Sequence, residues 1–171
     1  IARKLKYPGK IFFAGSSEIF GNITNKADIS HPQKPNSPYA IAKQASFNLV
    51  KMYREIYNLN CITGILFNHE SNLRPDTFVI QKIIKTANQI QKNKTKKLEI
   101  GNIEIIRDWG WAPEYVDAIK LITRSKIVKD HVICTGEATS LRKLIEKVFS
   151  KLDMDWEEFT IINKSLFRAS D

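Results

Sequence analysis

Ser37-Pro38-Tyr39-Ala40-Ile41-Ala42-Lys43 holds the start of a helix together with two side chains suited to proton transfer. Ser37 is a good N-cap and Pro38 suits the first helical position, so Tyr39 and Lys43 share one face, one turn apart. An ammonium beside a phenol favours the phenolate and makes the tyrosine a usable general base or acid. The same spacing also fits an ordinary helix start with a half-buried tyrosine and a solvated lysine. Upstream, Ile11-Phe12-Phe13-Ala14 reads as a short buried strand running out through Gly15-Ser16-Ser17-Glu18-Ile19-Phe20-Gly21. Open α/β sheets place their chemistry at such strand ends. Ser16 brings a hydroxyl there and Glu18 a carboxylate; the plainer reading is a polar turn with a serine cap.

Working outward, helical and strand patterns alternate, which predicts an α/β protein. A loop holding Pro32 and Pro35 leads to a helix over about 38–57 and a strand over about 60–67. Phe78, Ile80, Ile83, Ile84, Ala87 and Ile90 recur at helical spacing and predict a helix over 77–93. Short strands follow near 97–100 and 104–107, then a helix over 113–124 and a strand over 131–135. A helix over 140–152 starts at Thr139 or Ser140, and Phe159-Thr160-Ile161-Ile162 reads as a last strand. Ile1 to Leu5 reads as the tail of a helix. No internal repeat or low-complexity linker interrupts this order.

Ser16 with Tyr39 and Lys43 resembles the shared active site of the extended short-chain dehydrogenase/reductase superfamily. Within it, Gly64-Ile65-Leu66-Phe67-Asn68-His69-Glu70-Ser71, followed by Arg74 and Thr77-Phe78-Val79, is similar to a run of the GDP-mannose 4,6-dehydratase family. Arg107-Asp108-Trp109-Gly110 with Glu114-Tyr115-Val116, and Cys134-Thr135-Gly136, resemble two further runs of that family in collinear order. Ser16 stands where the family usually has threonine, Phe20 replaces a tyrosine and Trp111 a histidine; none of these removes a proton-transfer group. Asn72-Leu73 replaces a more basic pair, and Gln81 stands where arginine is common. Ser17 precedes Glu18 where the related dTDP-glucose 4,6-dehydratases carry aspartate.

The resemblance implies a partial Rossmann-type, doubly wound parallel sheet with a smaller α/β sugar-nucleotide domain. Residues 1–70 would supply the C-terminal part of an NADP-binding domain with its active-site helix, and 71–171 mainly the substrate domain, interleaved with the first. The implied reaction turns GDP-mannose into GDP-4-keto-6-deoxymannose, a lyase step with internal hydride transfer. Its implied catalytic residues are Ser16, Glu18, Tyr39 and Lys43. Tyr39, Lys43, His69 and Arg74 would contact NADP, and Ser16, Asn68 and Arg107 the substrate. A homo-oligomer is implied for the complete enzyme. Without the resemblance, Asn68 and His69 suit strand-end hydrogen bonding, Arg107-Asp108 a local ion pair, and Trp109 and Trp111 alternating core and surface positions. Other readings are another nucleotide-sugar dehydratase of the superfamily, a nucleotide-sugar epimerase, which needs no Glu18, and a noncatalytic binding remnant.

A dinucleotide fold also needs a glycine-rich turn at a helix N-terminus to hold the pyrophosphate. The seven glycines stand at 9, 15, 21, 64, 101, 110 and 136, and form no G-x-G-x-x-G. The expectation is therefore a C-terminal piece of the enzyme, inactive alone. The strands at 10–14 and 60–67 are expected to pair with strands preceding residue 1, leaving an apolar sheet edge.

Lysine and arginine number 27 against 18 acids, a net charge of +9. The basic residues are spread along helices, and the densest group, Lys92 to Lys97, lacks aromatic interleaving for base stacking, so a solvated loop and no nucleic-acid partner are expected. Cys61 and Cys134 sit in apolar runs and read as buried free thiols of a reducing compartment; His31, His69 and His131 are too dispersed for zinc. No secretory leader and no apolar run near the ~20 residues of a membrane span is present, so a cytoplasmic protein without membrane contact is expected.

Overall fold

The computed structural model describes residues 1–167. Its elements run β1 (Ile11–Ser16), a 3-10 turn (Ser17–Phe20), α1 (Pro38–Tyr57), β2 (Cys61–Leu66), β3 (Asn68–Glu70), α2 (Val79–Lys92) and β4 (Leu98–Ile100). They continue with β5 (Ile106–Trp111), α3 (Ala112–Arg124), β6 (His131–Ile133), β7 (Ala138–Ser140), α4 (Leu141–Ser150), α5 (Trp156–Phe159) and β8 (Thr160–Ile162). Most boundaries follow local chemistry. Ser37 Oγ accepts a hydrogen bond from the Ala40 amide at 3.1 Å to start α1, and the helix stops at Asn58 in the left-handed region, φ 51°. Ser140 caps α4 in the same way, accepting from Lys143 N, which leaves Thr139 in β7.

The chain divides into two compact units. The first holds Ile1–His69 and Gly110–Gly136, and the second Glu70–Trp109 and the described residues from Glu137 to Phe167. In the first, β1 and β2 pair in parallel, Ile11 opposite Cys61 and Ser16 opposite Leu66, and β6 joins the far side of β2 with Gly64 opposite His131. The strand order is β1-β2-β6. β1 and β2 are thus partners of each other. Flanked on both sides, β2 is buried from Cys61 to Ile65, as a central parallel strand should be. β1 is the edge and keeps Ile11, Phe12 and Phe13 half-exposed. Ile19, Phe20, Phe47 and Ile65 form a core beneath the strand ends.

In the second unit α2 lays Ile83, Ala87 and Ile90 against Leu141, Ile145 and Phe149 of α4, with Leu98, Ile100 and Phe159 closing the cluster. β4 pairs in parallel with β8, and β5 pairs antiparallel with β7, Arg107 opposite Thr139. Lys94 and Lys97 lie over the Phe159 ring at 5.2 and 5.0 Å, so the basic connector is partly pinned as well as solvated.

Three expectations need correction. Residues 1–5 make a hydrogen-bonded turn, Leu5 N to Ile1 O and Tyr7 N to Ala2 O, with no helix tail. β6 ends at Ile133, because only three residues reach the β2 ladder, so Cys134 falls past the strand and is exposed; Cys61 alone is buried. The strand expected at 104–107 lies at Ile106–Trp111, which puts the whole Arg107-Asp108-Trp109-Gly110 run on β5.

Candidate active site

Parallel pairing of β1 and β2 brings their carboxyl ends level, and the candidate side chains of the first unit gather there. Ser16 ends β1, 9% exposed, and its Oγ accepts from the Glu18 amide at 3.3 Å, capping the 3-10 turn that turns Glu18 out to solvent. The serine is thus both cap and strand-end hydroxyl. Two residues past the end of β2, Asn68 and His69 stand on β3.

The first turns of α1 hold Tyr39 and Lys43. Tyr39 is 52% exposed, and the Lys43 ammonium lies 5.6 Å from its ring centroid. Lys43 Nζ donates to the Ala14 carbonyl of β1 at 2.9 Å and sits 5.2 Å from the Phe13 ring. Lys43 is therefore tied to the strand end that carries Ser16, with Tyr39 one turn away on the same helix.

His69 Nδ1 lies 2.8 Å from the Phe67 carbonyl. A carbonyl can only accept, so Nδ1 carries the proton and Nε2 is the acceptor nitrogen of the neutral ring. Tyr115 of α3 stacks on this imidazole, centroids 4.8 Å apart at 27°, and its hydroxyl donates to Asn68 O at 3.4 Å.

Arg74 and Arg107 belong to the second unit. Arg74 Nε lies 3.3 Å from a Glu70 carboxylate oxygen, and its guanidinium covers the Phe78 ring at 3.8 Å. Arg107 is exposed on β5, with Nη1 donating to its neighbour Ile106 O at 2.8 Å. Trp109 is partly buried against the core of this unit, and Trp111 of β5, which belongs to the first unit, is 49% exposed.

A cavity of about 380 Å³ lies elsewhere, lined by Ile11, Val50, Tyr53, Leu59, Cys61 and the first four residues. Ile11 and Cys61 begin their strands, so this hollow is at the opposite end of the sheet from Ser16. No group of His, Cys, Asp and Glu among the described residues could hold a metal ion. No helix among them is long and apolar enough to cross a membrane.

Sequence reasoning assigned no role to Arg54, Asp130, Gly110 or Tyr115. The last two lie inside the quoted motifs, and a motif glycine next to an aromatic was the available signal. Arg54 and Asp130 gave none, being 76 residues apart.

The chain is 36% identical over 162 residues to GDP-mannose 4,6 dehydratase 1 of Arabidopsis thaliana, covering 95% of this chain and 45% of that protein. It thus spans about half the length of the curated relative. The fold superimposes on a dTDP-glucose 4,6-dehydratase of Bacillus anthracis in complex with NAD, with TM-score 0.82 at 20% identity, over 94% of this chain and 53% of the other. It matches RMD from Pseudomonas aeruginosa complexed with NADPH equally well, TM-score 0.82 at 20% identity, over 91% and 53%. The fold is therefore the Rossmann-type α/β fold expected from the sequence. The profile described as GDP-mannose 4,6 dehydratase matches residues 1–168, and the chain belongs to that family.

Proposed function

We propose that this chain supplies the catalytic half of a GDP-mannose 4,6-dehydratase, a hydro-lyase forming GDP-4-keto-6-deoxymannose. The observation that carries the reading is the family match over residues 1–168, combined with Ser16, Glu18, Tyr39 and Lys43 at one sheet end.

The donor set suits the ribose and nicotinamide end of NADP: an ammonium, a phenol and an imidazole at strand carboxyl ends. The pyrophosphate end has no glycine-rich turn among these residues. Lys43 would hold ribose hydroxyls, His69 would line the nicotinamide end, and Arg74 would meet cofactor phosphate, across a subunit contact in a homo-oligomer. The chemistry a bound NADP supplies is hydride acceptance from C4 and hydride return to C6. Tyr39, helped by Lys43, takes the proton of the mannose 4-hydroxyl, while Ser16 donates a hydrogen bond to that oxygen. Oxidation at C4 makes the C5 proton acidic; Glu18 removes it and assists loss of the 6-hydroxyl as water. Asn68 contacts the sugar, and Arg107 matches the diphosphate with its planar fork. The protein works in the cytoplasm, away from membranes and nucleic acid.

A chimera tests this reading directly. Residues 1–168 replace the matching segment of the Arabidopsis thaliana relative, and GDP-mannose turnover is followed by NMR of the 4-keto product. Turnover supports the reading; a folded chimera that leaves GDP-mannose untouched overturns it.

A further inference from the structure

His69 is held from two sides. Its Nδ1–H donates to Phe67 O at 2.8 Å, and the Tyr115 ring lies against its face, centroids 4.8 Å apart at 27°. Tyr115 is itself anchored: it is only 4% exposed, and its hydroxyl reaches Asn68 O, the carbonyl just before His69. The tyrosine thus spans its neighbour at both ends, ring on ring and hydroxyl on backbone. Its position in turn depends on Gly110. A Cβ built there would lie 2.3 Å from Tyr115 Cε2 and 2.9 Å from both Cζ and Oη, closer than non-bonded carbon tolerates. Gly110 has no requirement for positive φ. The glycine is needed for space.

We propose that Tyr115 is a positioning residue for His69, fixing the plane of the imidazole and the tautomer with the proton on Nδ1, and that Gly110 is glycine to admit the Tyr115 ring. The first part of this rests on the reading of His69 as a cofactor-site residue; the geometry does not. A free imidazole prefers its proton on Nε2, so the Nδ1–H form must be selected by its surroundings. The Phe67 carbonyl selects it only while the ring stays in the plane that reaches that oxygen, and a stacked aromatic restricts rotation out of that plane. The Glu114-Tyr115-Val116 motif thereby gains a physical task at a distance of 46 residues from His69.

The experiment is nitrogen NMR of the ring on the ¹⁵N-histidine-labelled chain, at a pH where imidazoles are neutral. The three histidines are assigned with His31→Gln and His131→Gln. Wild-type His69 should show a dominant Nδ1–H tautomer. In Tyr115→Leu the Nδ1–H fraction should fall at least about twofold, whereas Tyr115→Phe, which keeps the ring, should retain most of it. Gly110→Ala should resemble Tyr115→Leu. A Tyr115→Leu protein that melts lower yet shows the wild-type His69 pattern overturns the proposal, since Tyr115 would then be packing alone. Should Tyr115→Leu not fold, Tyr115→Met fills the space without a ring face and carries the same test. The readout needs neither turnover nor dinucleotide, so failure of the dehydratase reading appears in the chimera assay and failure of this inference in the His69 spectrum.

Discussion

Arg54 of α1 meets Asp130 fork to fork, Nη1 to Oδ1 at 2.8 Å and Nη2 to Oδ2 at 2.6 Å, with the Arg54 side chain 16% and the Asp130 side chain 7% exposed. Both ions are further satisfied: Arg54 Nη1 donates to Cys61 O at 2.9 Å, and Asp130 Oδ1 accepts from Thr63 N at 2.7 Å. One pair therefore ties the last turns of α1 to the start of β2 and to the residue just before β6. The bond to Asp130, opposed by burial, holds the Arg54 guanidinium above its ordinary pKa.

Removing one partner of a buried ion pair strands the other charge. Arg54→Met should cost about 3–5 kcal/mol of unfolding free energy. Arg54→Lys keeps charge but loses the two-pronged fit and should cost less. Urea denaturation measures both, and a loss for Arg54→Met below about 1 kcal/mol, the range of exposed pairs, would show the network to be solvent-screened.

Tyr39 and Glu18 are assigned separate proton transfers and should fail differently in the chimera. Tyr39→Phe should lower the first oxidation by about 10²–10⁴-fold. Glu18→Gln should still permit oxidation at C4 while slowing loss of water, with less deuterium entering C5 from solvent. Wild-type elimination by Glu18→Gln would remove Glu18 from the mechanism.

Residues 1–171 alone should not bind NADP with micromolar affinity, because the contacts proposed for Lys43 and Tyr39 are confined to the ribose end and the sequence holds no glycine-rich turn to cradle the pyrophosphate. Calorimetric titration of the chain decides this; a micromolar isotherm contradicts it.

His131 should make stability fall in mildly acid solution. Burial, reinforced by Lys129 and Lys10 and opposed by Asp130, pushes its imidazole below the ordinary 6.5. The unfolded chain takes up the proton first, so this contribution is complete above pH 6.5 and is lost as pH falls from there to the lower folded value. Asp28 and Asp76, held below 3.8, act only in more acid solution. Urea midpoints at several pH values should slope between neutrality and pH 5.5 in the wild type and flatten in His131→Gln; equal slopes refute the assignment.

The two thiols should separate by reactivity. Burial pushes the Cys61 thiol up, and its Sγ lies 3.2 Å from Val50 O, while Cys134 is exposed. Iodoacetamide should label Cys134 at least about tenfold faster in the native chain, with parity only in denaturant. Equal native rates, read by mass spectrometry of the peptides, would place Cys61 within reach of solvent.

The sequence by itself determined whatever depends on a few neighbouring residues. Ser37 and Pro38 announce α1 because a cap is satisfied within one turn, as the Ser37–Ala40 bond demonstrates. The apolar spacing from Phe78 to Ile90 predicts α2, because periodicity is a property of one helix. The short strands β3 and β7 were not legible: Asn68-His69-Glu70 and Ala138-Thr139-Ser140 lack the apolar run that marks β4, β6 and β8, and their extended form comes from the chain they lie beside. At the site, Ser16, Glu18, Tyr39 and Lys43 were readable as chemistry and as motif, but only the fold attaches Lys43 to Ala14, 29 residues away. The tertiary structure alone decided that β1 and β2 are partners, that Cys134 leaves the sheet, that Arg54 finds Asp130, and that Gly110 makes room for the ring which faces His69. Each depends on residues distant in the chain meeting in space, and burial and steric exclusion act on that meeting, not on local order.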